Sequence, residues 1–347
     1  MSVHTNVSPE ETEALLSHVL SLRRDFINDL LRGKVRFAGL KKGELRGQLK
    51  LALEEGLLSV EDVLNFLAER EPAGKQHVFL YRAQSSVNDE WQSSDAVIQA
   101  VEEAGYGDLL EAELPVAMPE ELTLSSIKVD ESEVEITAVE ARRYTEHIED
   151  LDEYGEADDG TEIEWRAFAH RVARSTVRLR WDLTTRGAEL HITQATEKGT
   201  VSNYYGEVVQ RFSQQIGSFL DFSKFQPINM HKVLHELARL EQGANPLTRS
   251  RETSFESPGG SNVRARSPSR TASLYEEQVV RQALGSVDTP TSGLGGNLYW
   301  LQAAAQNGVL DDDLHTVIVA HDARVHFMRP SSVEAIAYVL GQVRSLS

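Results

Sequence analysis

The chain has 347 residues, 40% of them hydrophobic, no cysteine and a formal net charge of −19. This length and apolar content allow a sizeable core, in two domains or in one large domain with an appendage. The lack of cysteine excludes disulfides, thiolate metal sites and cysteine nucleophiles, leaving histidine and carboxylates as the only candidate metal ligands.

The N-terminal residues are polar and no apolar run reaches spanning length, so the expectation is a soluble, cytoplasmic protein with no signal peptide and no membrane contact. Residues 9–70 read as helical. Leu15, Leu16, Val19, Leu22, Phe26, Leu30 and Leu31 share one stripe, a second run covers 40–53, and a third helix covers 60–68. Ser59 caps that third helix, Glu61 and Asp62 make its first turn acidic, and Glu55-Gly56 closes the helix before it. Together they make a small bundle over 9–72. Pro72-Ala73-Gly74 breaks the pattern, and the first strand runs through 77–82.

A short helix at 95–104 stops at Gly105, and a hairpin over 122–139 sets Ile127 and Val129 against Val134 and Ile136. Residues 130–164 hold 15 acidic side chains against Arg142 and Arg143, and 145–160 reads as a mobile acidic loop. Charge then reverses: residues 165–186 hold six arginines and one acid, Asp182.

Residues 176–222 join a clean hairpin to a strongly periodic helix. Val177, Leu179 and Trp181 alternate with polar neighbours, the turn falls at 184–187, and Ala188, Leu190 and Ile192 alternate on the return arm. Tyr205, Val208, Val209, Phe212, Ile216, Phe219 and Leu220 then form an apolar stripe at helical spacing. Another helix covers 227–240. Residues 246–273, rich in Ser, Arg, Gly and Pro, read as a flexible loop or linker. A helix at 274–284, a glycine-rich loop at 293–296 and a helix at 298–306 follow. The chain closes on a hairpin, 317–319 with 325–327 turning at 321–324, and a helix after Pro330 with Ser331 and Glu334 as a capping box.

These elements predict an α+β fold, an N-terminal helical bundle followed by a mixed or antiparallel sheet built from β-hairpin-helix units. The organisation expected is a helical module at 9–72, a core domain at 77–245, the linker at 246–273, and a C-terminal hairpin-helix part at 274–347 packed on the core.

His231 and His235, four apart on one helix, are the histidines best placed to share a metal, but Lys232 stands where the zinc-protease pattern needs glutamate. His321-Asp322 falls at a hairpin tip and reads as a turn. Asp150-x-Asp152-x-Tyr154-Gly155 begins like a calcium loop, yet its twelfth position is Thr161, which leaves a solvated acidic loop. No cofactor is expected and no catalytic residue is assigned.

Between residues 20 and 50 nine basic residues stand against three acids, a balance of +6 in a strongly acidic chain. Arg32, Lys34, Arg36, Lys41, Lys42, Arg46 and Lys50 are the candidate nucleic-acid contacts, with Arg178 and Arg180 a second polyanion surface that the acidic loop could mask. The run Leu40-Lys-Lys-Gly-Glu-Leu-Arg46, continuing to Gly56-Leu57 and Val63-Leu64, resembles the SAP-type helix-loop-helix DNA-binding module over residues 40–67. That resemblance implies backbone contacts by Lys41, Lys42 and Arg46.

The leading expectation is a non-enzymatic adaptor: a nucleic-acid-contacting helical module attached to an α+β domain that binds a protein partner or itself. A metal-assisted hydrolase using His231 and His235, and a purely protein-binding scaffold, are the alternatives.

Overall fold

The computed structural model describes residues 8–35, 40–84, 91, 93–110, 118–194, 201–257, 259–267, 269, 271–285, 293–305 and 308–347. Helices α1 (Pro9–Ser21), α2 (Arg24–Leu31), α3 (Lys42–Glu54) and α4 (Val60–Arg70) make the N-terminal bundle. The stripe expected as one helix is split at Leu22 and Arg23, both extended, and the bend brings Ile27 and Leu31 into the same core as Leu15, Leu16 and Val19. Ser8 caps α1 with a reciprocal Glu11 contact, and Ser59 caps α4 with Asp62.

Beyond the bundle lies one 11-stranded sheet, and every pairing in it is antiparallel. The strands are β1 (Gln76–Ala83), β2 (Thr123–Val129), β3 (Glu133–His147), β6 (Phe168–Asp182), β7 (Gly187–Thr193), β8 (Phe225–Pro227), β9 (Thr248–Glu256), β10 (Asn262–Arg266), β11 (Gly293–Trp300), β12 (Leu314–Val319) and β13 (Arg324–Phe327). A separate ribbon pairs β4 (Glu153–Glu156) with β5 (Glu162–Trp165). The order across the sheet is β10-β9-β11-β12-β13-β1-β7-β6-β3-β2, with β8 alongside the far end of β1. The fold is thus α+β, N-terminal helices followed by a large antiparallel sheet with interspersed helices. The hairpins β6–β7 and β12–β13 lie in that one sheet, on either side of β1.

Alternation along β1 divides the core in two. Phe79 and Tyr81 join Val177, Leu179, Trp181, Leu190 and Ile192 on one face, under α5 (Ser94–Glu103) and α6 (Val201–Ile216), whose Tyr205, Val208, Phe212 and Ile216 fill that layer. Val78 and Leu80 point the other way, joining Trp300, Ile318, Val325 and Phe327 under α7 (Met230–Glu241) and the last helix (Val333–Leu346). The helix expected at 274–284 is a short turn at Leu274–Glu276 followed by α8 (Gln278–Gly285), which makes the last helix α9. The bundle closes over the outer part of β3 and β6 on this second face, where Ala141 and Val172 pack against it.

Three further stretches depart from the expected elements. Residues 248–256 and 262–266, expected as a flexible connection, are strands β9 and β10. Their alternation is polar, but Thr248, Ser250, Thr253 and Phe255 point inward, and buried Glu241 of α7 accepts both the backbone N–H and the hydroxyl of Ser250. The glycine-rich stretch and the start of the helix expected at 298–306 form strand β11, followed by a single short turn at Gln302–Ala304. Gly293 and Gly296 let α7 lie against the strand: a Cβ on either would come within 2.8 Å of Leu234. Residues 145–160, expected as a mobile loop, hold the end of β3, a turn of helix at Glu149–Leu151 and strand β4.

Candidate functional site

Among the described residues, the lysines and arginines of the bundle lie on its outside, most of them among acids. In α3, Leu45 and Leu49 are buried while Arg46 and Lys50, one turn apart, face Glu13 of α1 at 3.4 and 3.1 Å. Arg46 also donates to the Ser17 hydroxyl. Arg32 pairs with Asp29 at 2.7 Å and Lys34 with Asp62 at 3.3 Å. Lys41 is exposed at the N-cap of α3; Arg36 and the side chain of Lys42 lie outside the described residues.

Arg178 and Arg180 sit on the inner polar row of β6, held by the strand beside them. Arg180 makes a two-pronged bond to Glu133, at 2.7 and 2.9 Å, and buried Arg178 lies 3.6 Å from Glu135. Their carboxylate partners come from the start of β3, each set diagonally across the ladder from its arginine, and not from residues 145–160.

His231 donates from Nδ1 to the Gly293 carbonyl at 2.6 Å, so this ring fastens α7 to β11. Among the described residues no three His, Asp or Glu side chains gather as a metal site. His321 and Asp322 lie in the turn between β12 and β13, where Ala323 takes a left-handed φ of 49° and Asp322 pairs with Arg324.

Two features were not legible in the sequence. The first is a buried charge network joining bundle to sheet. Glu71, just after α4, receives Nε of Arg174 at 2.9 Å and the Thr176 hydroxyl at 2.8 Å, with His18 of α1 at 3.2 Å. Burial alone would raise the Glu71 pKa, but the Arg174 guanidinium, His18 and Thr176 hold it well below the usual carboxylate range. A parallel set lies further along the sheet, where Glu189 meets His191 at 3.0 Å and Arg344 of α9 at 2.9 Å.

The second feature is an arm. Strands β3 and β6 pair over 15 residues each and hand on to the β4–β5 ribbon through an elbow, where Asp152 accepts from the Ala167 N–H and from His147. Along its outer end Leu151, Tyr154, Trp165 and Phe168 are 65, 75, 52 and 56% exposed. The Trp165 ring crosses over Gly155, where a Cβ would meet it at 2.8 Å, so the glycine is needed for that placement. Residues 145–170 carry ten acids against Arg166, a balance of −9.

No protein-family model and no curated protein matches the chain. Among the described residues no helix is long and apolar enough to cross a membrane.

Proposed function

We propose that this chain is a non-enzymatic interaction protein, an adaptor whose α+β body binds a basic protein partner through the arm and whose helical module touches nucleic-acid phosphates. The arm carries the reading. Four large apolar side chains more than half exposed on one projecting ribbon are the kind of surface that marks protein binding. The acids around them favour a partner whose apolar patch is rimmed by lysine and arginine. A second copy of this chain fits less well, because two arms of −9 would face each other.

The nucleic-acid half rests on α3, whose outer face presents Lys41, Arg46 and Lys50 while Leu45 and Leu49 anchor the helix from behind. Exposed pairs such as those with Glu13 contribute less than about 1 kcal/mol each, so a phosphate can take the place of the carboxylate. Contacts of this kind carry no strong sequence preference, and their affinity falls linearly in log salt. In a chain of −19 the binding is weak at physiological salt unless a partner adds avidity.

One experiment tests both halves on the full chain, titrating a labelled Lys/Leu-rich peptide and a labelled DNA duplex at low and moderate salt. Tyr154→Ser, Trp165→Ser and Phe168→Ser together should weaken the peptide by tenfold or more and leave the duplex unchanged. Lys41→Glu, Lys42→Glu and Arg46→Glu together should abolish the duplex and leave the peptide. Peptide binding indifferent to the aromatic triple removes the arm, and duplex binding equal in both proteins, or absent even at low ionic strength, removes the module.

A further inference from the structure

Between α1 and the outer part of β6 lies a cleft of about 650 Å³, floored by Glu71 and Arg174. Its size falls within the range of small-molecule sites, and it lies on the seam between two packed units, where such sites concentrate. Four chain segments distant in sequence bring cations to it: Arg23 between α1 and α2, Lys75 before β1, Arg174 from β6 and Arg329 after β13. Apolar wall is supplied by Ala14, Leu22, Val172 and Pro330.

The charge balance inside this cleft is the reverse of the molecule's. Glu71 is its only acidic lining residue among those described, and that carboxylate is already engaged by Arg174, Thr176 and His18. At the mouth Arg23 grips Asp25 with two bonds, at 3.1 and 2.9 Å, and Asp311 at 3.2 Å, while Arg329 pairs with Asp312. Lys75 has no ion-pair or hydrogen-bond partner for its ammonium among the described residues. With the arginines of the lining paired, Lys75 is the lining cation left uncommitted among the described residues, and it is the group that can meet an anion.

We infer that the cleft binds a small organic anion, a phosphate or carboxylate head on a body of about mononucleotide size. Lys75 meets the head group, and the apolar wall takes the body. Arg174 sits in the floor, its orientation fixed by Glu71, so the cleft presents no uncompensated carboxylate to the ligand. None of the residues proposed above to meet nucleic acid or a protein partner lines this cleft.

The test is thermal unfolding of the full chain with millimolar sodium phosphate, adenosine monophosphate or citrate, each against sodium chloride of equal ionic strength. A specific anion raises Tm by roughly 2 °C or more once it exceeds its Kd several-fold. A rise with phosphate and the nucleotide only assigns a phosphate head, and a rise with citrate only assigns a carboxylate. Lys75 is exposed, so Lys75→Glu should leave the ligand-free Tm unchanged and abolish the rise, while Lys75→Arg retains most of it. Glutamate substitution of the remote, exposed Arg239 should retain the full rise. No rise with any of the three anions, or a rise undiminished in Lys75→Glu, overturns the inference.

Discussion

His77 of β1 and His326 of β13 are register partners across adjacent strands, and their rings stack with centroids 3.9 Å apart. Tyr205 of α6 lies against His77 at 4.0 Å, and Arg324 stands over Tyr205. Among the described residues neither Nδ1 of His77 nor Nε2 of His326 has a hydrogen-bond partner.

Burial, reinforced by neighbouring positive charge, pulls His326 down to about 4 and His77 to about 2. The unfolded chain takes up protons below the ordinary histidine value of 6.5 that the folded chain refuses, so stability falls as pH drops through that value. At pH 5 each histidine should cost about 2 kcal/mol relative to neutral pH. Glu71 and Glu189, held low in the fold, begin to lose their contribution only below their ordinary 4.5, which leaves the window between to the histidines. Urea unfolding at pH 7 and pH 5 measures this loss. In His326→Phe the loss should shrink by about half, and an unchanged pH dependence would show that the stack does not control it.

Glu71→Gln should be strongly destabilising. It leaves the guanidinium of Arg174, 1% exposed, without its carboxylate, a change that typically costs about 3–5 kcal/mol. Pairing it with Arg174→Met should recover part of that loss, since the buried charge is then gone as well. If denaturation shows Glu71→Gln within about 1 kcal/mol of wild type, the bundle does not close over this network in solution.

Phe212 is wholly buried in the α6 layer above Trp181, itself buried, so Phe212→Ala opens a cavity and should cost about 3–5 kcal/mol. A loss under about 1 kcal/mol would place the ring outside the core and the helix in another register.

Gly293→Ala should cost about 1–3 kcal/mol by overpacking, because the new methyl meets Cβ of Leu234 at 2.8 Å and the His231 carbonyl at 3.3 Å. Gly47, on the open side of α3, has nothing within 4 Å of the place a methyl would take, and there alanine should be neutral or stabilising. Equal melting temperatures for Gly293→Ala and wild type would contradict the close approach of α7 to β11.

Local pattern was enough wherever one face of an element meets one core. The alternation through Val177, Leu179 and Trp181 and the stripe Tyr205, Val208, Phe212 and Ile216 specify the central hairpin and helix, and the pairing of Ile127 with Ile136 and Val129 with Val134 follows from the turn between them. The same rule misled at residues 246–273 and 293–306. A strand at or near a sheet edge can be polar on its open face, and a strand carrying glycines for helix contact has no side-chain period to detect.

The seven basic residues picked out between 32 and 50 were legible as a charge excess, but the pairing of Lys34 with Asp62 and of Arg46 and Lys50 with Glu13 was not, because those acids arrive from other helices. Sequence by itself determined the element types of the bundle, the central hairpins and the long amphipathic helices, since these depend on periodicity and capping within a few residues. Only the tertiary structure decided that both hairpins share one sheet, that Arg178 and Arg180 are taken by Glu135 and Glu133, and that Glu71 meets Arg174, 103 positions away. Charge neutralisation and cleft formation depend on distances between chain segments, and those are set by how the layers pack.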